Sequence, residues 1–231
     1  MISDDARKEA LKTIDYVLEY IFSDETLSSL VIFKGGTALV KAYGINRFSK
    51  DIDLSYIGEG YGNVINGIRE FIESSGFAVT NISANSIEFK IGLLRSSVDV
   101  SYLRDVINKS ASATDIVSEE GSMYFVRVMD IDEILAEKAR AIMERREAKD
   151  LWDAYKILEK GVMCTKDKID YKCLHSNPGF SFSESEFVKI VDSWTEHRYL
   201  GQLRDYVEEK DVIPLKNVKE KLKGFIFSIY S

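Results

Sequence analysis

Two aspartates one residue apart, Asp51 and Asp53, end the stretch FKGGTALVKAYGINRFSKDIDLSY, residues 33 to 56. In a strand, residues i and i+2 point to the same face, so these two side chains project together while Ile52 and Leu54 take the core. Carboxylates this close repel, burial alone would push one toward protonation, and a divalent cation removes the conflict. Magnesium takes oxygen ligands and binds through one or two carboxylates plus substrate phosphates. A third carboxylate lets two ions sit about 3.5 to 4 Å apart and clamp the attacking and leaving oxygens of a phosphoryl displacement. Asp99, in SVDVSYL with Val98 and Val100 on the core face, is the candidate. If its strand pairs with that of Asp51 and Asp53, the three acids converge.

The pair Gly35 and Gly36 follows the apolar run LVIF and Lys34. Glycine lets backbone N–H groups approach a phosphate closely, and a helix beginning there favours negative charge. Thr37 is expected either to cap that helix or to give its hydroxyl to a phosphate oxygen. Lys34, Gly35, Gly36 and Thr37, together with Arg47, Ser49 and Lys50 before the acids, form the expected nucleotide-binding set. Further on, Ile134, Lys138 and Ile142 lie four apart on one helical stripe, so a lysine interrupts an apolar face. It must snorkel out or meet an anion, and a nucleotide phosphate is the expected one. Asp150 lies on an inward stripe with Ala154 and Ile157, where it either orients Lys138 or a base, or caps a helix starting at Leu151. Arg145 and Lys149 fall near the Lys138 side and offer either a path for an RNA backbone or a solvated face.

Periodicity supplies the elements that must hold these groups. Residues 4 to 22 read as an amphipathic helix, 30 to 33 as a buried strand, 37 to 43 as a short helix and 51 to 57 as a strand with one buried face. Helical period returns over 62 to 75. Strands follow at 77 to 83, 86 to 94, 97 to 103 and 123 to 129, with NSI and LRSS as hairpin turns. From residue 130 the pattern is helical: 131 to 147, 150 to 160, 184 to 197 with Ser183 and Glu186 as a capping box, 199 to 209, and 215 to 229. The expected fold is α+β, a mixed sheet with flanking helices over residues 1–129, followed by a mostly helical domain over 130–231.

Bulk properties narrow the function classes. A net charge of −7 and a pI near 5.1 argue against coating nucleic acid through the overall field, though not against a local basic patch. Cys164 and Cys173 form no CxxC and have no histidine cluster nearby, and His175 and His197 show no metal spacing. No basic, apolar or small-residue run of the kind expected of a leader stands among the opening residues, and no apolar run approaches the roughly 20 residues of a membrane span. The expectation is a reduced, cytoplasmic protein without a membrane partner.

GGTAL, then RFSKDIDL, then VDVS resembles the signature of the DNA polymerase beta-like nucleotidyltransferases: a glycine pair, a DxD and a third aspartate. The block EILAEKARAIMERREAKDLWDAYKI, residues 133 to 157, is similar to the helical motif of the AbiEii/AbiGii toxin family, with Lys149 where arginine is common and Trp152 where tyrosine is usual. That resemblance implies a nucleotidyltransferase-like fold and Asp51, Asp53 and Asp99 as metal ligands, for Mg²⁺ or alternatively Mn²⁺. It also implies Lys138 and Asp150 as catalytic companions, an NTP substrate, tRNA or another RNA as acceptor in some members, and an antitoxin encoded alongside. The expected reaction moves an NMP from NTP to an acceptor hydroxyl and releases pyrophosphate, with Asp99 activating that hydroxyl. Competing readings are transfer to a small molecule or protein, a nucleotide-binding regulator without turnover, and a phosphatase or nuclease built on the same acids.

Overall fold

The computed structural model describes residues 3–59, 64–103, 105–111, 113–176 and 180–230; positions 62 and 63, expected to begin a helix, lie outside them. The chain divides into two compact units. The first, α/β in character, covers the chain to Gly44 and Phe48–Met129; the second takes Ile45–Arg47 and the chain from Asp130 onward.

The α/β unit opens with helix α1 (Asp4–Ser23), capped by the Ser3 hydroxyl, which accepts from the Ala6 N–H at 3.3 Å. Ala10, Ile14, Val17, Leu18 and Ile21 form its buried stripe. A short helix α2 (Glu25–Leu30) leads into β1 (Val31–Lys34), buried throughout, and then α3 (Gly35–Lys41). Next come β2 (Ile52–Tyr56), α4 (Val64–Ser74), β3 (Ala78–Ile82), β4 (Ser86–Ile91) and β5 (Leu94–Ser101). The sheet order is β1-β2-β5-β4-β3. The β2–β5 pair is parallel, and the other three pairings of this sheet are antiparallel. A separate ribbon pairs β6 (Ala113–Val117) with β7 (Met123–Arg127).

The hairpin turns fall elsewhere than expected. The β4–β5 turn is Gly92-Leu93, where Gly92 has φ +54° and Leu93 is fully exposed, so all of LRSS is strand. The β3–β4 connection lies at 83 to 85, so Ile87 of NSI is already buried in β4. β6 had no sequence expectation, because ATDIV offers one inward residue, Ile116, among exposed and half-exposed neighbours.

A buried carboxylate ties this unit together. Asp15, 3% exposed on the inner stripe of α1, accepts from the Tyr124 hydroxyl at 2.7 Å, the Glu119 N–H at 2.8 Å and the Lys41 ammonium at 2.9 Å. One side chain thereby joins α1, α3 and the ribbon. Burial, and then the Asp15 charge, push the Tyr124 phenol far up, so it remains a donor.

The second unit is helical: α5 (Ile131–Glu144), α6 (Ala148–Glu159), α7 (Lys166–Ser176), α8 (Glu184–Asp192), α9 (Glu196–Leu203) and α10 (Leu215–Tyr230), with a 3-10 turn at Glu209–Asp211. The expected helix over 184 to 197 is two helices, because Thr195 caps α9 by accepting from the Arg198 N–H at 3.4 Å. Ser183 caps α8 as expected, accepting from the Glu186 N–H. α7 escaped the sequence reading because part of its buried face is Lys172, fully buried and 2.7 Å from Glu133 of α5. Among the described residues no helix is long and apolar enough to cross a membrane.

Replacing Asp15 by Ala takes the acceptor at 2.7 Å from the Tyr124 hydroxyl and leaves the buried Lys41 ammonium with its contact to Glu119 at 3.0 Å. Removing one member of such a buried set costs about 3 to 5 kcal/mol. Urea denaturation of Asp15→Ala should show that loss; a change below about 1 kcal/mol, the scale of an exposed ion pair, would show that Asp15 does not tie the unit together.

Candidate active site

The acids come together through strand register. In the parallel pair, Asp53 stands opposite Asp99, with Ile52 opposite Val98 and Leu54 opposite Val100. The four aliphatic side chains are buried and the two aspartates half-buried, the alternation a one-sided strand requires. The row continues on both sides, since Lys34 of β1 is opposite Asp53 and Ser86 of β4 is opposite Asp99. One face therefore carries Lys34, Asp53, Asp99 and Ser86 across four strands.

Asp51 lies one residue before β2 and joins through Ser97. Its Oδ1 accepts from the Ser97 N–H at 3.1 Å and lies 3.2 Å from Ser97 Oγ, which donates to Asp99 Oδ2 at 2.5 Å. Ser97 precedes Asp99 by two residues on the same strand face, so a single hydroxyl spaces two of the three carboxylates. Lys50 also approaches Asp51 Oδ1, at 3.4 Å, and donates to the Arg95 carbonyl. The Ser96 hydroxyl donates to the Lys50 carbonyl, fixing the approach to β2 against β5. The Asp51 side chain is 42% exposed, so water reaches the cluster.

Gly35 is constrained twice. Its φ is +74°, and a Cβ there would lie 2.2 Å from Asp53 Oδ2 and 2.8 Å from Asp53 Cγ. The turn thus brings backbone against a carboxylate at a distance only glycine permits. Gly36 is buried in the first turn of α3. Thr37 does not cap this helix: the N-cap is Lys34, without a side-chain cap bond. Thr37 is fully buried, donates its hydroxyl to the Asp51 carbonyl and lies 2.8 Å from Ser49 Oγ. Thr37 and Ser49 are therefore struts beneath the acid loop. Lys34 is almost buried, its ammonium 3.6 Å from Asp105, whose other oxygen accepts from Ser55 at 3.4 Å. Asp105 lies in an irregular segment with no periodicity to mark it.

The helical unit holds a second group. Lys138, 5% exposed, meets its anions within the protein: Asp150 at 2.9 Å and Asp153 at 2.7 Å. Arg47 grips Asp153 with two nitrogens, at 2.6 and 3.0 Å, and Arg145 grips Asp150 with two, each at 2.8 Å. Asp150 is the third residue of α6 and the N-cap is Glu147, so the capping role is replaced by ion pairing. Asp153 was not singled out from the sequence, although its place one turn after Asp150 put it on the same helix face. Burial alone would raise both carboxyls; Lys138 and Arg145 at Asp150, and Arg47 and Lys138 at Asp153, reverse this and hold both below the usual range. Burial opposes the Lys138 charge as well, but Asp153 and Asp150 outweigh it and keep that pKa raised.

The Asp51, Asp53 and Asp99 set offers only oxygen donors, which suits Mg²⁺ or Mn²⁺ and not a thiophilic ion. Among the described residues no group of three or more His, Cys, Asp or Glu side chains is placed to hold a metal ion by itself. An ion here would complete its shell from water and substrate phosphate, as magnesium commonly does.

Two outcomes follow from this geometry. Gly35→Ala should displace Asp53, and a misplacement of about 1 Å can cost on the order of a hundredfold in rate; a variant with unchanged nucleotidyl transfer would show that this close approach does not matter. In the helical unit, lowered carboxyl pKa values give stability that is present above the unfolded value near pH 4 and lost as pH falls through the folded values. The raised Lys138 pKa gives stability present below pH 10.5 and lost above it. Asp153→Asn should therefore be less stable than the native protein by a constant margin between about pH 5 and 9, closing only in acid; a margin that varies across neutral pH would contradict the assignment.

Comparison with known proteins places these features. The family model described as "Nucleotidyl transferase AbiEii toxin, Type IV TA system" matches residues 16–211. No curated protein matched the sequence. The fold is similar to MenT4, a nucleotidyltransferase toxin from Mycobacterium tuberculosis H37Rv, with TM-score 0.70 and 16% identity over 99% of this chain and 86% of that one. It is also similar to JHP933 from Helicobacter pylori, with TM-score 0.52 and 16% identity over 100% of this chain and 94% of that one. With the family match spanning most of its length and the mixed sheet presenting its row of acids, the chain belongs to the AbiEii toxin family of nucleotidyltransferases.

Proposed function

We propose that the protein transfers an NMP from NTP to a hydroxyl of an RNA acceptor, with tRNA as the first candidate, at the face carrying Asp51, Asp53 and Asp99. The observation that carries this is the β2–β5 register, which sets Asp53 opposite Asp99 while Ser97 links Asp99 to Asp51. A nucleotide-binding regulator has no need of three carboxylates on one face. Asp51, Asp53 and Asp99 would hold Mg²⁺, which when bound supplies Lewis-acid polarisation of phosphoryl oxygens. Mn²⁺ suits the same donors. The Gly35–Gly36 turn brings main chain close to the triphosphate, and Lys34 contributes positive charge beside Asp53. Thr37 and Ser49 position the loop that carries Asp51. Lys138, Asp150 and Arg47 support the reaction by giving the helical unit a fixed arrangement of charge.

The step balances simply. The acceptor oxygen bonds to the α-phosphorus as the bond from that phosphorus to the pyrophosphate oxygen breaks, and Asp99 takes the acceptor proton. In this reading RNA modification is the route to growth arrest and an antitoxin is the counterpart in the same cytoplasm, which the toxin classification of the family supports.

The decisive test incubates the protein with each α-phosphate-labelled NTP, Mg²⁺ and total tRNA, in parallel with an Asp51→Ala/Asp53→Ala variant. Label entering tRNA only with the intact acids supports the proposal and names the nucleotide. Label entering protein or a small molecule instead would reassign the acceptor, and nucleotide binding without any transfer would favour a regulator. Asp99→Asn should lower the transfer rate by about a hundred- to ten-thousandfold if it accepts the proton.

A further inference from the structure

The turn between α5 and α6 carries Arg145-Arg146-Glu147, and Arg146 has φ +52°, the left-handed region that side chains rarely adopt. Arg146 is exposed, and its carbonyl accepts from the Arg198 guanidinium at 2.9 Å. Arg198, exposed on α9, lies over the buried Trp194 ring with its central carbon 4.1 Å from the ring centroid. Lys149, one turn along from Arg145, sits over the Tyr206 ring at 5.5 Å. The Gln202 side chain of α9 accepts from the Ala148 N–H at 2.9 Å, a second tie between α9 and the start of α6. Two helix termini and α9 thus present Arg145, Arg146, Lys149 and Arg198 as one basic surface.

The neighbouring acids match part of this charge. Glu144 is bonded to Arg140 and Ser176. Glu147 lies between Lys149 at 3.1 Å and Arg145 at 3.7 Å, one carboxylate spacing two cations. Arg145 is half-exposed even while it grips Asp150. On a chain of net charge −7, such a surface marks a place where an anion is attracted locally against an unfavourable overall field. The Arg198 guanidinium, held flat by the buried Trp194 ring and the Arg146 carbonyl, presents its remaining donors in a fixed orientation, a geometry suited to phosphate.

We infer that Arg145, Arg146, Lys149 and Arg198 form a docking surface for the phosphate backbone of RNA. This rests on the reading of the acceptor as RNA and adds the place where the acceptor is held. The left-handed arginine then has a reason: glycine at that position would relieve the backbone but remove a charge at the centre of the surface.

That trade supplies the test. Binding of fluorescein-labelled tRNA is measured by anisotropy across a salt series, without nucleotide, for the native protein and for Arg146→Gly, Lys149→Gln and Arg198→Gln. Each variant should bind about tenfold more weakly at moderate salt, and its log-affinity against log-salt slope should flatten by about 0.7 to 0.9 for each phosphate no longer neutralised. Arg146→Gly should keep or raise the melting temperature, since glycine adopts φ +52° without strain, so its weaker binding is not unfolding. Arg146→Lys should restore most of the affinity. Unchanged affinity and slope in all three variants would overturn the inference, as would losses seen only with an acidic polypeptide such as polyglutamate. Asp51→Ala/Asp53→Ala should bind tRNA normally. Native tRNA binding by the three surface variants, with transfer to tRNA intact, would therefore sink this surface alone, whereas weakened binding in those variants without any transfer by the native protein would sink only the catalytic proposal.

Discussion

The candidate site depends on one parallel strand pair. Antiparallel neighbours can be set in register by a tight turn, but parallel strands need a long excursion between them, and β2 and β5 are separated by a helix and a hairpin. Their register is fixed by what lies beneath: Ile52, Leu54, Val98 and Val100 all face the core. A slip of either strand by one residue would put its aspartate into that core and expose its aliphatic residues. The position of the acids is thus enforced by the hydrophobic side of the sheet and needs no bond between the acids themselves.

That arrangement explains which parts were legible in the sequence. The alternation in DIDL and VDVS announced one buried and one polar face, and the glycine pair announced a turn. The pairing of β2 with β5 on which their convergence was conditional is present, and it is parallel. The close approach of the Gly35 backbone to Asp53 was not legible, because it is a distance across two strands. Nor was the role of Thr37: its position after two glycines looks like a cap, and only the fold shows its hydroxyl committed to the loop before β2. Strand β6 and helix α7 were hidden for a related reason. Each presents too few inward apolar residues to leave a periodic trace, and in α7 a buried lysine stands where the pattern needs an aliphatic residue.

The helical unit shows how charge takes the place of apolar packing. Lys138, Asp150 and Asp153 are buried at a position where aliphatic residues would pack more simply, and such groups are tolerated only when each finds its partners. Two bidentate arginines complete the set. Their planar forks restrict orientation in a way that lysines would not, so the network defines a geometry as well as a balance of charge. This also accounts for the partial reading of the block around Lys138. Its place on an apolar stripe called for an anion or an outward reach, and of the partners weighed Asp150 is present in the structure, joined by Asp153, which the sequence reading did not single out.

Arg47 belongs to a segment of three residues, Ile45–Arg47, that groups with the helices although it lies between α3 and β2. The helical unit is therefore not a contiguous piece of chain. A recombination event joining the helices to a different catalytic half at residue 130 would leave Asp153 without one of its two cationic partners. Exchange of the halves between relatives would require a matching arginine far upstream in the incoming sequence. The helices and the Ile45–Arg47 segment must then be inherited together, so the helical unit changes more readily by substitution than by replacement.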